Sequence, residues 1–481
     1  MKKIKFIYKC LFCLTVSCFT SCQLTEDIDD YESLFTLNAF DAIADEASAE
    51  LALVGAYSGF KQRSTASGLP ELFMIPSVLS GVGVSARPSV EFDAYQNNDP
   101  TSQNTTSNLG AYTRMYDLIN RCNWLIQGLN NLDSSKFDNP ARYAEVLAET
   151  KALRATANFY LLRLWGQFYD VNSIYGINIR TAPALSSEAF PRNSVAETYD
   201  AITADLDEAI ANAPDFTSKL GISKTYAKAL KAKVLLYKGE FSQAATLAKD
   251  VIDNSGANFA LASTYAEIFD NSSEATFSSS EYLFITGGGP GVFIGIENFW
   301  GTFFVAPSST FPSTVAAGIT DVGGQMISYD NNRVSSMFGF DNFKFGRPYP
   351  KIYHLRMAEV YLIFAEANAR ANNSVTLEAL DALNAVRLRA GATTTGGDGF
   401  ETYPATISLT QFLDAVRIEK MVEVGGESGE EWFDLVRFHF VDGFDVTTIK
   451  ASATDPDKFI LPIDLQTIEA GGNIIEQNPG Y

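Results

Sequence analysis

Amphipathic helical periodicity recurs along most of this 481-residue chain, and it restricts the possible folds more than any other feature. In the stretch 109–132, apolar side chains recur at steps of three and four residues, from Tyr112 through Ile119 to Leu129. This spacing places them on one face of a helix, which then has to pack against another element. Helices are predicted at about 39–62, 109–132, 141–166, 194–213, 223–238, 240–254, 352–371, 375–389, 409–424 and 429–438.

Several of these helices carry residues that typically start a helix. Pro140 lies at a first helical position, where proline fits because the amide hydrogen that it lacks would have no partner. Ser194 and Glu197 form a capping-box sequence, and Ser408 with Gln411 forms another. These signals support the boundaries that the periodicity indicates.

The predicted helices 223–238 and 240–254 form a pair typical of tetratricopeptide repeats. Alanines lie where the two helices would cross, Gly239 provides a tight turn, and the period is roughly 34 residues. The predicted fold is therefore mainly α, a tetratricopeptide-like scaffold of helical hairpins with loop-rich insertions and a few short strands. The loop-rich segment is predicted at about 260–350, where glycine and serine cluster and runs such as Tyr282–Ile285 indicate strands.

The N-terminal segment has the features of an export signal followed by a lipid anchor. A basic start precedes the apolar stretch Phe6–Phe19, which is too short and too interrupted to span a membrane. Small residues then precede Cys22, and the chain turns acidic. We expect residues 1–21 to be a lipoprotein signal peptide, residues 22–38 a tether carried by lipid on Cys22, and residues 39–481 a single domain. The alternative is an ordinary signal peptide with a chance cysteine.

Charge and cysteine content argue against several classes of partner and cofactor. Removing residues 1–21 deletes four lysines, so 32 Lys and Arg remain against 57 Asp and Glu, a net charge of −25. Such an acidic surface argues against nucleic acid and anionic lipid. Beyond Cys22 the chain has Cys122 alone, which excludes a disulfide framework and a thiol metal cluster. No cofactor is expected, and a structural calcium ion at Asp330-Asn331-Asn332 is the alternative, although the glycine and glutamate of an EF-hand are absent.

Motifs in four stretches and at the C-terminus have the pattern of one family. The stretches are Glu149–Gly166, Tyr353–Ala367, Leu383–Gly391, and Ile418–Lys420 with Glu431–Arg437. The ending combines Leu461–Ile463 with Gln477–Tyr481. In these motifs the chain resembles the SusD-like (RagB/SusD) outer-membrane nutrient-binding lipoproteins of Bacteroidetes. The motifs follow one another in the family's order from the lipid site to the last residue, so the resemblance covers essentially the whole chain.

The resemblance implies a binding protein with a membrane partner. One face of the scaffold would pack on a SusC-like TonB-dependent transporter, and loops elsewhere would hold the ligand, usually a glycan and in some relatives a peptide. The acidic run Glu26–Asp30 resembles the surface-export signals of such lipoproteins, which indicates the outward leaflet of the outer membrane. The expected function is capture of an oligosaccharide and its delivery to the transporter, without catalysis.

The charged residues of these motifs are interpreted as structural. They lie on one predicted helix and its neighbours: Arg356, Glu359, Glu366, Arg387, Arg389 and Glu419. Buried Arg–Glu pairs that join helices explain this pattern. His354, placed in a helix, and His439, just after one, lack the sequence context of a serine hydrolase or a zinc protease. A glycoside hydrolase and a purely scaffolding helical-repeat protein are the alternatives from other classes.

Two predicted loops combine aromatic faces with amides and charged groups, the mixture that binds sugars. The loop 85–105 supplies Arg87, Phe92, Asp93, Tyr95, Asn97 and Asn98. The loop 292–311 supplies Phe293, Asn298, Phe299 and Trp300. Aromatic residues in loops are less easily explained as core than those on a helical stripe, so these residues form the candidate ligand-binding set. Each of them has the alternative role of anchoring its own loop.

Overall fold

The structure is a computed structural model, which describes residues 42–61, 71–85, 90–103, 105–186, 189–270, 272–273, 277–287, 305–307, 349, 351–390 and 402–481. The predicted signal peptide and tether, with Cys22, lie outside the described residues, as does the calcium alternative at 330–332. Across the described ranges, none of the helices combines the length and the apolar character needed to span a membrane. The same ranges contain no group of histidine, cysteine and carboxylate side chains placed to hold a metal ion.

The architecture is mainly α-helical, as predicted. The helices are α1 (Glu46–Tyr57), α2 (Glu71–Ser80), α3 (Val90–Gln96), α4 (Thr105–Asn131), α5 (Pro140–Trp165), α6 (Val195–Asn212), α7 (Lys224–Lys238), α8 (Phe241–Asn254), α9 (Tyr265–Ile268), α10 (Met357–Asn372), α11 (Leu377–Ala390), α12 (Leu409–Glu423), α13 (Glu430–Asp442) and α14 (Leu465–Ala470). The strands are β1 (Gly83–Ser85), β2 (Tyr282–Gly287), β3 (Val305–Pro307) and β4 (Lys351–Arg356). β1 pairs with β3 and β2 pairs with β4, both antiparallel.

Successive long helices pack on each other and build the scaffold. α4 packs on α5, α5 on α6, α6 on α7, and α7 on α8. Gly239, at the turn between α7 and α8, has a φ of +85°, which glycine adopts without a steric penalty. α10 then packs against both α7 and α8, and α11 and α12 pack on α10. The prediction of a tetratricopeptide-like helical scaffold is confirmed.

The helix starts predicted from the sequence are present as capping contacts. Glu197 N donates to Ser194 Oγ at 3.2 Å, and Ser194 N donates to Glu197 Oε2 at 2.8 Å. Ser408 and Gln411 form the same reciprocal pair at the start of α12. Pro140 is the first residue of α5. Since a side-chain cap satisfies backbone amides that the helix itself leaves unpaired, these residues determine where each helix begins.

Three elements differ from the prediction. α2 was absent from the prediction. Every residue of α2 is buried, so its sequence shows no polar face, and it contains Pro76, a residue type that normally disfavours a helix. α3 occupies part of the segment 85–105 that was predicted as a loop. The helix predicted at 352–371 is wrong at its start, because Lys351–Arg356 forms β4 and the helix begins only at Met357.

His354 lies on β4 rather than in a helix, and it is a core residue. Its Nδ1 lies 3.1 Å from Tyr160 Oη, and its Nε2 lies 3.0 Å from Thr286 Oγ1. The imidazole also stacks on Phe284, with 4.7 Å between ring centroids. Burial lowers the pKa of His354 to about 3, so the ring is neutral at pH 7. The structural interpretation of His354 is confirmed.

Arg356 lies at the centre of a buried ion cluster. Its guanidinium contacts Glu281 at 2.9 Å, Glu423 at 3.2 Å and Glu427 at 2.7 Å. Arg389 contacts Glu281 at 3.2 Å and Glu423 at 2.6 Å. The cluster joins the end of β4 to the residue before β2, to α11 and to the end of α12. Its cations and carboxylates satisfy one another inside the core, as the sequence interpretation expected.

Lys233 of α7 joins the motif carboxylate Glu359 to a second buried carboxylate, Glu430. It lies 2.6 Å from Glu359 of α10 and 2.6 Å from Glu430 of α13. Arg387 of α11 pairs with Glu419 of α12 at 3.1 Å, and both side chains are fully buried. These ion pairs link α7 to α10 and α13, and α11 to α12, so five helices are involved and the role is structural.

Glu366 of α10 is surrounded by cations. Arg437 of α13 lies 2.5 Å away, Arg370 lies 2.7 Å away, and Lys420 of α12 lies 3.5 Å away. The three cations hold the pKa of the Glu366 carboxyl well below its usual range, although burial alone would raise it. Glu366 is therefore an ionised structural anchor for α10, α12 and α13.

Glu431 of α13 is a buried carboxylate without such cations. Its Oε1 accepts hydrogen bonds from Ser77 Oγ of α2 and, at 3.1 Å, from Gly426 N. Burial, with a smaller contribution from the neighbouring Glu430, raises the pKa of Glu431 to about 7, although the hydrogen bonds act in the opposite direction. Glu431 thus titrates near neutral pH inside the contact between α2 and α13.

We expect Glu431→Gln to stabilise the protein at pH 8 and to have little effect at pH 5. Because the folded-state pKa lies above the ordinary 4.5, the contribution of Glu431 is fully present below pH 4.5 and is lost as the pH rises through 7. At pH 8 the native chain holds a buried carboxylate at a cost on the order of 2 kcal/mol, which the neutral amide avoids. Urea denaturation at both pH values measures the difference, with the exposed Glu378→Gln as control. An equal effect at both pH values would contradict the raised pKa.

Candidate ligand-binding site

A two-stranded sheet joins the described parts of the chain next to the two predicted ligand segments. Ser85 at the end of β1 pairs with Val305 at the start of β3. In the sequence, Arg87 follows Ser85 by two positions and Trp300 precedes Val305 by five. Since the strands are antiparallel, the chain leaves β1 and enters β3 at the same end of the sheet. Sequence patterns cannot reveal this pairing, because the two strands lie far apart in the chain.

α3 carries part of the first segment, and its aromatic residues point into the protein. Phe92 is 4% exposed and Tyr95 is 1% exposed. Their rings meet edge to face with 5.8 Å between centroids, a favourable arrangement of two aromatic side chains. In the described conformation both rings anchor α3 to the core.

Asn98 fastens the turn that follows α3. Its φ of +53° lies in the left-handed region, which asparagine tolerates better than most residues. Its Nδ2 donates to the carbonyl oxygen of Leu79 at 3.0 Å, and its Oδ1 accepts from Ser452 Oγ at 2.7 Å. Asn98 thereby ties α3 to α2 and to a segment near the C-terminus.

Asp93 and Asn97 are the predicted residues of this segment whose side chains are exposed. Asn97 N donates to the Asp93 carbonyl at 3.0 Å, so the two residues are one helical turn apart on the same face. Their carboxylate and amide are available to hydrogen-bond hydroxyl groups. Gln96 between them is structural, because its Oε1 accepts from Ser85 N at 2.8 Å and so joins α3 to β1.

The sequence analysis missed Lys450, which lies beside the turn between α2 and β1. Its Cδ lies 3.3 Å from the position that a Cβ on Gly81 would occupy. Burial lowers the pKa of Lys450 to about 8, so most of the ammonium is still charged at pH 7. The side chain of the cationic Lys450 therefore lies beside the turn that leads into β1. No local pattern marks it, because it comes from a distant part of the chain.

The remaining predicted ligand residues lie outside the described residues. They are Arg87, Phe293, Asn298, Phe299 and Trp300. Their assignment stays a prediction, and the described part of the site consists of β1, β3, the exposed face of α3 and Lys450.

Two family models match separate parts of the chain. One, described as the SusD family, matches residues 344–481, and the other, described as starch-binding associating with outer membrane, matches residues 77–236. Among curated proteins, SusD-like protein P38 of Formosa agariphila is 30% identical over 171 residues, which are 35% of this chain and 31% of the relative. A SusD-like protein of Bacteroides ovatus is 25% identical over 171 residues, 33% of this chain and 30% of the relative. The chain thus matches about a third of the length of each curated relative.

Solved structures with a similar fold cover nearly the whole chain. A SusD superfamily protein from Bacteroides thetaiotaomicron is 23% identical with a TM-score of 0.70, covering 91% of this chain and 100% of its own. A laminarin-binding SusD-like protein is 21% identical with a TM-score of 0.67, covering 91% and 100%. A SusD superfamily protein from Bacteroides vulgatus is 20% identical with a TM-score of 0.71, covering 91% and 99%. At these identities the likeness establishes the fold.

Proposed function

We propose that this chain, which belongs to the SusD family, is a non-catalytic cell-surface protein that binds a glycan and delivers it to a SusC-like TonB-dependent transporter of the outer membrane. The proposal rests on the pairing of β1 with β3. The first aromatic- and amide-rich segment begins at the end of β1, and β3 lies within the second such segment. A family description that names starch binding and the outer membrane supports a glycan as ligand, as does a laminarin-binding protein of the same fold.

A glycan needs flat aromatic faces for its C–H surfaces and polar groups for its hydroxyls. In this proposal the aromatic faces come from the second segment, with Trp300 as the main platform. Asp93 on the exposed face of α3 and Asn97 directly after this helix bind hydroxyl groups, and Arg87 contributes from the first segment. Phe92, Tyr95 and Asn98 act indirectly by holding α3 in place. The runner-up ligand is a peptide, which would use the same aromatic platform.

The buried charge clusters support the absence of catalysis. A glycoside hydrolase needs two carboxyl groups on either side of a cleft that admits the substrate. The motif carboxylates Glu359, Glu366 and Glu419 are instead enclosed in the core together with their cations. A substrate cannot reach them without unfolding the scaffold.

The proposed membrane attachment gives the protein freedom to open and close on its transporter. Lipid on Cys22 would anchor the chain, and residues 22–38 would form a flexible tether. At roughly 3.3 Å per extended residue such a tether reaches several tens of ångströms. The domain can then swing away from the transporter to capture a glycan and return as a lid, while it stays on the membrane.

We expect Trp300→Ala, Asp93→Ala and Asn97→Ala each to weaken glycan binding by about tenfold or more, without changing the melting temperature. The effect of Trp300→Ala should be the largest of the three. Loss of one stacking face or of one hydrogen bond on the order of 1.4 kcal/mol corresponds to that factor. Isothermal titration calorimetry with laminarin, soluble starch and a panel of plant glycans measures the affinity. Tyr95→Ala is a poor test, because Tyr95 is buried and its replacement also lowers stability.

Phe440→Ala is the matched control, since it removes an aromatic side chain that is 42% exposed on α13 and belongs to neither predicted ligand segment. Unchanged affinity in Trp300→Ala, Asp93→Ala and Asn97→Ala together would discard the site assignment. Release of new reducing ends from any glycan would contradict a non-catalytic role. Binding of peptides but of no glycan would favour the runner-up.

A further inference from the structure

A cleft of about 230 Å³ lies between α4 and the described residues 178–186 and 189–190, with Thr467 and Ile475 at its end. It contains none of the residues of the predicted glycan site. Pockets for drug-sized ligands are typically about 300–1,000 Å³, so this cleft suits a smaller molecule, such as one ring with a short side chain.

The wall formed by the extended segment, residues 178–186, is fixed in place by side chains of α4. Asn123 Nδ2 donates to the carbonyl oxygens of Arg180 and Ala182 at 3.0 and 3.1 Å. Asn120 Oδ1 accepts from Ala184 N at 2.8 Å. These three contacts hold the segment along α4, and the even-numbered residues from Asn178 to Ser186 line the cleft, as alternate residues of an extended segment do. The side chains of Asn178 and Arg180 therefore line the cleft together.

Arg180 is held ready for an anion. Its guanidinium stacks on the ring of Phe190, with 3.9 Å from Cζ to the ring centroid. Stacking leaves the N–H groups at the edge of the guanidinium plane available to donate. Among the described residues no carboxylate pairs with it.

Asn178 supplies a buried acceptor. The residue is 8% exposed, and its Nδ2 donates to the carbonyl oxygen of Phe190 at 2.6 Å. Its Oδ1 receives no hydrogen bond from any described atom. A buried oxygen in this situation favours a ligand that brings a donor, because an unmade hydrogen bond is costly.

The remaining surface of the cleft is mostly apolar. Tyr112, Tyr116 and Ile119 of α4 form its floor. Burial raises the pKa of both tyrosines, so their rings stay neutral at physiological pH. A pyranose carries hydroxyl groups all around its ring, and this floor offers them few partners.

We infer that this cleft binds a small carboxylate with an apolar body and one hydrogen-bond donor, as in a hydroxyaryl carboxylic acid. Arg180 binds the carboxylate, Asn178 Oδ1 accepts from the donor, and the tyrosine floor covers the apolar body. The inference goes beyond glycan capture and does not depend on it, since the two sites share no residue.

The test uses the full chain and 3-(4-hydroxyphenyl)propanoate, with its carboxamide and the des-hydroxy compound 3-phenylpropanoate as matched probes. We expect saturable binding of the acid by calorimetry, at least tenfold weaker binding of the amide, and weaker binding of the des-hydroxy acid. Arg180→Ala should abolish binding of the acid. Lys136→Ala, which removes one exposed positive charge elsewhere, should leave it unchanged.

The comparison of acid and amide uses the unaltered protein, so it stays decisive even if Arg180→Ala fails to fold. Equal affinity for acid and amide, or no binding of any probe, would overturn the inference. Tighter binding of D-glucuronate than of the aryl acid would overturn the apolar body and identify a site for acidic sugars. Glycan titrations of Arg180→Ala separate this site from the proposed glycan site, whose affinity should not change.

Discussion

Replacing Arg356 by leucine is expected to lower the free energy of unfolding by about 3–5 kcal/mol. The change leaves Glu281, Glu423 and Glu427 in the core without their shared cation, and all three side chains are at most 3% exposed. Typical domains are stable by about 5–15 kcal/mol, so the loss removes much of the available stability. Arg389 remains close to two of these carboxylates, but it contacts neither oxygen of Glu427.

Urea denaturation of the purified protein, monitored by circular dichroism, measures this loss. Arg356→Lys keeps the charge but loses the planar guanidinium, so an intermediate loss is expected. Lys249→Ala is the control, because the Lys249–Asp253 pair on α8 is exposed and its removal should cost no more than about 0.5 kcal/mol. A loss below about 1 kcal/mol for Arg356→Leu would mean that the carboxylates take up protons at little cost, which contradicts the structural role of the cluster.

The helices that bury one face could be predicted, because burial of one face gives the sequence a periodic pattern of apolar residues. α6 is such a case, with its capping box at Ser194 and Glu197 and one buried stripe. The sequence of α2 has no such periodic pattern, because this helix is buried on every side, and it also contains Pro76. β4 was mistaken for the first turn of a helix, since a buried strand and a buried helix turn share the same run of apolar residues.

The partners in the core and at the candidate site could be predicted only in part. The motifs suggested that Arg356 is structural, but Glu281 lies 75 residues earlier in a segment with no motif. In the same way, the resemblance and the residue types indicated two ligand segments, but not that β1 and β3 pair. Burial of Tyr95 could not be foreseen, because an aromatic residue in a short helix gives the same signal as one in a loop. The sequence gives only a weak indication of the cleft at Arg180, namely the spacing by two of Asn178, Arg180 and Ala182. This spacing can be interpreted only once the segment is known to be extended.

Gly176→Ala is expected to destabilise the protein by roughly 3 kcal/mol, at the upper end of the cost of an added methyl group in a packed site. A Cβ at this position would overlap the carbonyl oxygen of Ser194 and lie 2.6 Å from that of Asn193. Both atoms belong to backbone, which cannot move aside as a flexible side chain can. Gly176 is also held from both directions, because its N donates to Asn193 O at 3.0 Å and its carbonyl accepts from Arg192 Nε at 3.0 Å.

Gly55→Ala is the matched control for this glycine. Gly55 lies within α1, and a Cβ there would meet no atom within 4 Å, so alanine should stabilise the helix by about 0.4–1 kcal/mol. Opposite signs for the two substitutions, measured by the same denaturation experiment, would assign the effect to the backbone contact. Equal signs would contradict the close approach at Gly176. Because Gly176 lies just before residues 178–186, which form one wall of the cleft, its alanine variant should also weaken binding of the aryl carboxylate, whereas Gly55→Ala should not.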